Sequence, residues 1–166
     1  MDADEIRRIN PKDEIRRINP KDEGTLFRFF MDLSIQPEVT KYFHPHPFDR
    51  KTAAEIASHS GKDVYIALFS GEEIIGYAML RGLDEGYRTP SFGVAVGPRH
   101  QGRGVGSRLL TESLRLAFQF GAAEVMLKVH PENLKALTWY RRVGFRECDQ
   151  QPDGQIVLRL RKERSK

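Results

Sequence analysis

Val94-Ala-Val-Gly-Pro-Arg-His-Gln-Gly-Arg-Gly-Val-Gly-Ser-Arg-Leu-Leu110 joins a short β-branched run to a helix through a basic, glycine-dense turn. Val105, Leu109, Leu110, Leu114, Ala117 and Phe118 recur with a 3.6-residue period, the signature of an amphipathic helix. A strand, a tight turn and a helix N-terminus in succession direct free backbone N–H groups and the positive helix end at one point. Phosphate or pyrophosphate is the natural occupant of such a point.

Two familiar phosphate loops do not fit the residues. Starting from Gly102 and Gly104, a G-x-G-x-x-G dinucleotide fingerprint requires glycine where Ser107 stands. A Walker A loop starting at Gly97 requires Lys-Ser/Thr where Arg103-Gly104 stands, so the groups for a triphosphate and Mg²⁺ are missing. What remains is Gln101-x-x-Gly104-x-Gly106 directly after a strand. It resembles the acetyl-CoA pyrophosphate loop of the GNAT N-acetyltransferase superfamily. The competing reading is an ordinary glycine-rich strand–helix turn, and the rest of the chain discriminates between them.

The 166 residues fit one domain with a real hydrophobic core. An apolar fraction of 39% and a charged fraction of 30% are those of a soluble globular protein. No apolar run approaches the roughly 18–20 residues of a membrane helix, and the charged N-terminus lacks the apolar stretch of a secretory signal. Cys148 is the sole cysteine, which excludes an internal disulfide and a multi-cysteine metal site and makes a reducing cytoplasm the simplest compartment. Cys148 itself reads as a half-buried strand thiol rather than a nucleophile. The net charge of +4 is partly carried by a basic C-terminal tail. With no nucleic-acid-binding motif beside it, a nucleic-acid partner rests on charge alone and is ranked last.

In chain order, residues 4–12 are repeated letter for letter as residues 13–21. One perfect nine-residue copy is far below a structural repeat and reads as a local duplication or a cloning artefact. Residues 1–12 are therefore expected to be an extension without a catalytic role, and residues 13–166 a single domain. A short strand is expected at 15–18. Asn19 and Pro20 then open a helix running from Thr25 to about Leu33. Tyr42-Phe-His-Pro-His-Pro-Phe48 reads as a loop stiffened by two prolines. Thr52-x-x-Glu55 reads as a capping box for a second helix ending near Ser60.

Residues 64–69 and 73–80 flank a Ser70-Gly71-Glu72 turn as a hairpin. A polar connection from 82 to 90 leads to a strand at 91–96, then to the opening loop and its helix, which ends near Gly121. A strand at 124–129 follows. The helix after Asn133 is stopped by Gly144, and residues 145–148 and 155–160 form a last hairpin about Asp153-Gly154. The order β-α-α-β-β-β-α-β-α-β-β mixes hairpins with one crossover, predicting an α+β fold with a mixed sheet.

Asn133-Leu-Lys-Ala-Leu-Thr-Trp-Tyr-Arg-Arg-Val-Gly-Phe145 resembles the second GNAT signature, Asn-x-x-Ala-x-x-x-Tyr-x-x-x-Gly-Phe. Together with the loop and the element order, the resemblance covers residues 13–161. It implies the GNAT acyltransferase fold, with about seven mostly antiparallel strands flanked by about four helices. It implies acetyl-CoA as co-substrate and no metal. Backbone N–H groups of Gln101, Gly102, Arg103, Gly104, Val105, Gly106 and Ser107 would then hold the pyrophosphate. Arg99, Arg103 and Arg108 would add charge or remain solvated cations. Val94, Ala95 and Val96 would pair with the pantetheine arm, the Val94 N–H facing the thioester oxygen, and Asn133 and Ala136 would meet the same arm.

Transfer of an acetyl group to an amine needs placement, oxyanion donors, an acid for the sulfur and a proton acceptor for the amine. Tyr140 is the candidate acid, since a phenol of pKa about 10 stays protonated at neutral pH and can donate to a thiolate. Trp139 reads as packing. Many family members carry a glutamate at the position of Ser91, and serine is no carboxylate base. His130 is the named candidate base, with Asp84, Glu85, His44, His46 and a water chain as alternatives. Phe30, His44, His46 and Ser91 are candidate acceptor-binding residues, although Phe30 reads equally as core. His44 and His46 as a metal pair lack a third ligand.

The chain is thus expected to be an acetyl-CoA-dependent N-acetyltransferase (an EC 2.3.1 enzyme) acting on a primary amine, with a small-molecule acceptor favoured. A protein N-terminus or lysine, or a non-catalytic acyl-CoA-binding regulatory module on the same fold, are the alternatives. No membrane partner is expected, and a homodimer is left open.

Overall fold

The computed structural model of the chain describes residue 10 and residues 12–164, so most of the extension expected over 1–12 lies outside the described residues. Seven strands form one sheet: β1 (Asp13–Arg17), β2 (Val64–Ser70), β3 (Glu73–Arg81), β4 (Ser91–Val96), β5 (Glu124–Val129), β6 (Arg146–Gln150) and β7 (Ile156–Arg161). Their spatial order is β1-β2-β3-β4-β5-β7-β6. Every neighbouring pair is antiparallel except β4 and β5, which are joined by the expected crossover helix.

Five α-helices cover the sheet: α1 (Glu23–Ser34), α2 (Pro37–Tyr42), α3 (Arg50–Ala57), α4 (Val105–Gln119) and α5 (Leu134–Val143). The expectation of four missed α2. Six residues are too short to show periodicity, but Pro37 at the first turn, Glu38 beside it and Lys41 in the last turn are the local signals of a helix. The capping box at Thr52 is also corrected. Asp49 is the N-cap of α3, its Oδ1 accepting the Thr52 N–H at 2.7 Å, and Thr52 lies inside the helix.

Alternation along the strands splits the apolar residues into two layers. Ile66, Leu68, Ile75, Leu80, Phe92, Val125, Leu127 and Leu158 pack with Val105, Leu109 and Leu110 of α4 and Leu137 and Tyr140 of α5. On the other face Ala67, Phe69, Tyr77, Met79 and Ala95 pack with Leu26, Phe29, Phe30 and Leu33 of α1 and Ala53, Ile56 and Ala57 of α3. The first strand is clamped to the second layer by the Arg16 guanidinium, whose two nitrogens donate to Asp22 at 2.7 and 2.8 Å. Asn19 caps a single 3₁₀ turn (Pro20–Asp22) that runs into α1, and Asp22 returns a bond to the Asn19 N–H. Among the described residues, no helix is long and apolar enough to cross a membrane.

Two contacts set the relation of the layers to the sheet. A Cβ on Gly76 of β3 would lie 2.5 Å from Val105 Cγ1 and 2.7 Å from Leu109 Cδ1, so the missing side chain admits the first turns of α4 onto the sheet. In the other layer, His46 links the proline loop to the core. Its Nδ1 donates to the Pro47 carbonyl at 2.8 Å, which leaves Nε2 to accept from the buried Tyr77 hydroxyl at 3.1 Å. Burial, with Arg81 nearby, holds the His46 pKa below the ordinary imidazole value.

Gly76→Ala is expected to overpack this contact and cost about 1–3 kcal/mol in a denaturant-unfolding measurement. For His46 the unfolded chain binds the proton more readily than the fold does. The stability contributed by its neutral form is therefore complete above the ordinary value of 6.5 and is lost as pH falls through the depressed folded value. Hydrogen exchange of the 44–48 loop should accelerate beyond its intrinsic pH dependence on acidification, and His46→Gln should abolish that step.

Candidate functional site

The glycine loop between β4 and α4 has the backbone that an anion-binding turn requires. Gly102 and Gly104 adopt φ of +75° and +78°, a region costly to residues with a Cβ. Gly104 is the N-cap of α4 and provides no side-chain cap. The first backbone bond of the helix runs from the Arg108 N–H to the Gly104 carbonyl at 3.0 Å. No backbone N–H from Gln101 to Ser107 donates to a protein acceptor among the described residues. Gly106 permits close approach, for a Cβ there would lie 3.4 Å from the Trp139 ring and 3.5 Å from Val96 Cγ2. Arg108 is half-buried with Nη1 fully enclosed and unpaired. Arg99 reaches Glu73 at 3.5 Å.

The strand before the loop has an unusual edge. Its far side is fully laddered to β3, but β4 and β5 share one register pair, Ser91 with Met126, and one flanking bond from the Met126 N–H to the Pro90 carbonyl. Beyond Ser91 the two strands diverge. The Gly97 N–H donates to Ile75 on β3, and backbone groups alternate sides along a strand. The Phe92 N–H closes the Ser91–Met126 pair on the Met126 carbonyl, so the Phe92 C=O and the N–H and C=O groups of Val94 and Val96 point into the gap. Val94 and Val96 direct their side chains to the α4/α5 layer, and Ala95 to the other.

The second motif flanks the same gap. Asn133 is the N-cap of α5, its Oδ1 accepting the Ala136 N–H at 3.3 Å, which leaves its amide NH₂ as donor. Ala136 is half-buried in that first turn. Tyr140 is 7% exposed and meets Phe92 of β4 edge-on at 6.4 Å, with Trp139 and Phe145 as its other ring neighbours. Burial drives its pKa far above the ordinary phenol range. Gly144, at φ +115°, ends the helix as expected, with its N–H on the Tyr140 carbonyl.

On the α1–α3 side the gap opens into a cavity of about 660 Å³. Its floor is Ser91, Phe92, Gly93 and Met126, and its walls include Met79, Arg81, Glu85, Tyr87, Arg88, Lys128 and Arg159. Of the four residues expected to bind the acceptor, Ser91 lines it. Phe30 is fully enclosed between His46, Phe48 and Tyr77 and braces the core instead. His44 is exposed and bonds the Lys41 carbonyl at 3.0 Å, and His46 is turned to Tyr77. The proline loop reaches the cavity through Pro45, whose carbonyl accepts from Arg81 at 2.6 Å.

The candidate bases separate in the same way. His130 accepts the Glu132 N–H on Nδ1 at 3.2 Å and stacks near Tyr42, so in the neutral ring its lone pair is already used. Asp84 receives His59 Nε2 at 2.6 Å and the Lys62 N–H, and the His59 bond holds its pKa below the usual range. Ligand-type atoms of His59, Asp63 and Asp84 lie within 4.8 Å of one another. The Leu83 and Asp84 N–H groups donate to Asp63, so this cluster is a hydrogen-bonded knot tying two turns together. Glu85 lines the cavity.

Arg88, Lys128 and Tyr87 were not among the expected site residues. Lys128 was legible, because it follows Met126 on the face of β5 opposite Val125, Leu127 and Val129. Arg88 and Tyr87 lie in an irregular connection without such a pattern.

These features coincide with known proteins. The model of the Acetyltransferase (GNAT) family matches residues 27–145. The chain is 32% identical over 158 residues to an uncharacterized protein of Mycobacterium leprae, covering 89% of this chain and 40% of that protein. It is 38% identical over 106 residues to N-alpha-acetyltransferase RimI of Mycobacterium tuberculosis, covering 61% of this chain and 60% of RimI. The chain thus spans about two fifths and three fifths of these relatives. The fold is shared with the GNAT domain of S. lividans PAT (TM-score 0.76, 23% identity, 89% of each chain). It is shared also with the PaiA N-acetyltransferase of Thermoplasma acidophilum, crystallised in complex with coenzyme A (TM-score 0.74, 17% identity, 90% and 99% covered). With the glycine loop, the splayed strands and the Asn133–Phe145 motif in their places, this chain belongs to the GNAT acetyltransferase family.

Proposed function

We propose that residues 13–166 form a single domain that transfers an acetyl group from acetyl-CoA to the primary amine of a small molecule. The observation that carries the reading is the presence of two neighbouring sets of unpaired backbone donors, Val94 and Val96 on the edge of β4 and the 101–107 loop at the start of α4. Seven consecutive N–H groups at a helix N-terminus suit a pyrophosphate. The open edge of β4 suits an arm bearing amides, which can pair as an added strand. Asn133 contributes its free amide NH₂ to that arm.

The amine nitrogen attacks the thioester carbonyl, a C–N bond forms and the C–S bond breaks. The Val94 N–H, pointing into the gap, stabilises the developing oxyanion. Tyr140, which burial keeps protonated at neutral pH, gives its proton to the departing sulfur and regains one from solvent. The amine proton leaves to Glu85 or to water in the cavity. A volume of about 660 Å³ is that of a small-ligand site. A second reading, an acyl-CoA-binding regulatory module, draws on Ser91, since β4 carries no carboxylate toward the cavity.

Acetyl-CoA turnover across an amine panel, followed by free-thiol release, separates the two readings: acceleration by an amine supports transfer, and saturable binding without acceleration supports the module. Tyr140→Phe is expected to lower kcat by about a hundredfold with the acetyl-CoA Kd nearly unchanged; a large loss of affinity would contradict the acid role. Gly106→Val should do the reverse, weakening acetyl-CoA binding first, because its side chain would enter the space held against Trp139 and Val96.

A further inference from the structure

The cavity beside the β4–β5 gap has a charge that acetyl transfer to a plain alkylamine does not require. Four cationic side chains line it, Arg81, Arg88, Lys128 and Arg159, against one carboxylate, Glu85. Arg159 is neutralised by Glu124 at 2.5 Å. None of the ion pairs among the described residues includes Arg81, Arg88 or Lys128. Arg81 commits one nitrogen to the Pro45 carbonyl and retains further donors. Lys128 is placed by strand alternation, since Val125, Leu127 and Val129 pack into the α4/α5 core and force Met126 and Lys128 to the cavity side. The cavity therefore holds an excess of unpaired positive charge within a concave surface, which concentrates anions and disfavours a second cation.

We infer that the acceptor is a small amine that also carries an anionic group, with Lys128 and Arg88 holding the anion and Arg81 adding to the field. This rests on the acetyl-transfer reading of the site and specifies its acceptor. The ammonium end of such a molecule has one carboxylate in the cavity to meet, Glu85. The nearby cations disfavour its protonated form, which promotes the neutral nucleophile without a carboxylate at Ser91. A polyamine or a simple alkylamine would enter as a bare cation and meet the opposite field. Carboxylate and phosphate share the chemistry that this cluster recognises.

The test uses matched amines of similar size on the full chain: β-alanine, phosphoethanolamine, ethanolamine and 1,3-diaminopropane, within the wider amine panel. Both or either of the two anionic amines should exceed ethanolamine in kcat/KM by about tenfold or more, with diaminopropane lowest; tenfold corresponds to about 1.4 kcal/mol. Which anionic amine leads tells carboxylate from phosphate. Arg88→Glu combined with Lys128→Glu should erase or invert the order while leaving the acetyl-CoA Kd unaltered. In the unaltered protein, raising KCl from about 0.05 M to about 0.5 M should erode the preference through screening, a readout independent of whether the variant folds. Equal use of ethanolamine and the anionic amines, or a preference for diaminopropane, would overturn the anion site and leave acetyl transfer standing. An anionic preference that survives both charge reversal and salt would also overturn it. Failure of every amine in the panel to accelerate thiol release would remove the transfer reading, and this inference with it.

Discussion

The divergence of two parallel strands governs this molecule. β4 and β5 meet at Ser91 and Met126 and then part, while each remains fully laddered on its other side, to β3 and β7. Backbone polar groups in a sheet are obligatory hydrogen-bonding groups. Beyond Phe92 the edge of β4 is thus a row of donors and acceptors that the described residues do not satisfy. It is held by a fully laddered sheet on both sides and is followed in the chain by the free N–H groups of the 101–107 loop.

The two helical layers make the opening usable from both directions. On the α4/α5 side, Gly76 lets the start of α4 approach β3, and Gly106 lets Trp139 close over the first turn. Tyr140 meets Phe92 at the point where the strands part. On the α1–α3 side, the absence of bulk at Ser91 and Gly93 leaves a cavity, and the 82–90 connection supplies its charged rim. The opening thereby faces the α4/α5 layer on one side of the sheet and the cavity on the other.

The proline loop shows how an informative sequence can mislead about role. His44 and His46 lie in a stiff segment next to the site, yet the structure uses their polarity to hold that segment down. His46 bridges Pro47 and the Tyr77 hydroxyl, and His44 bonds the end of α2. Their contribution to the cavity is indirect, through Pro45 and its bond from Arg81. Burying the Tyr77 hydroxyl demands a partner, and His46 supplies it. His130 likewise spends its lone pair on the turn before Asn133.

Local physics was enough for the glycine loop, the helix after it, the hairpins and the Asn133–Phe145 helix with its two caps. Each depends on residues within a few positions of one another, whether through a period, a cap or a turn that needs positive φ. The same locality explains why α2 and the Asp49 cap were missed: one helix is too short for a period, and at the other a better-placed acceptor outcompeted the Thr52 pattern. The sequence alone also determined that Tyr140 would lie on an amphipathic helix and that Ser91 offers no carboxylate. Only the tertiary structure decided that β4 and β5 part after one pair, that Phe30 is sealed away from the cavity, and that Arg81, Arg88 and Lys128 converge around it. Those outcomes arise from packing between segments separated by tens of residues, where burial and unpaired polar groups are settled jointly rather than by neighbours in the chain.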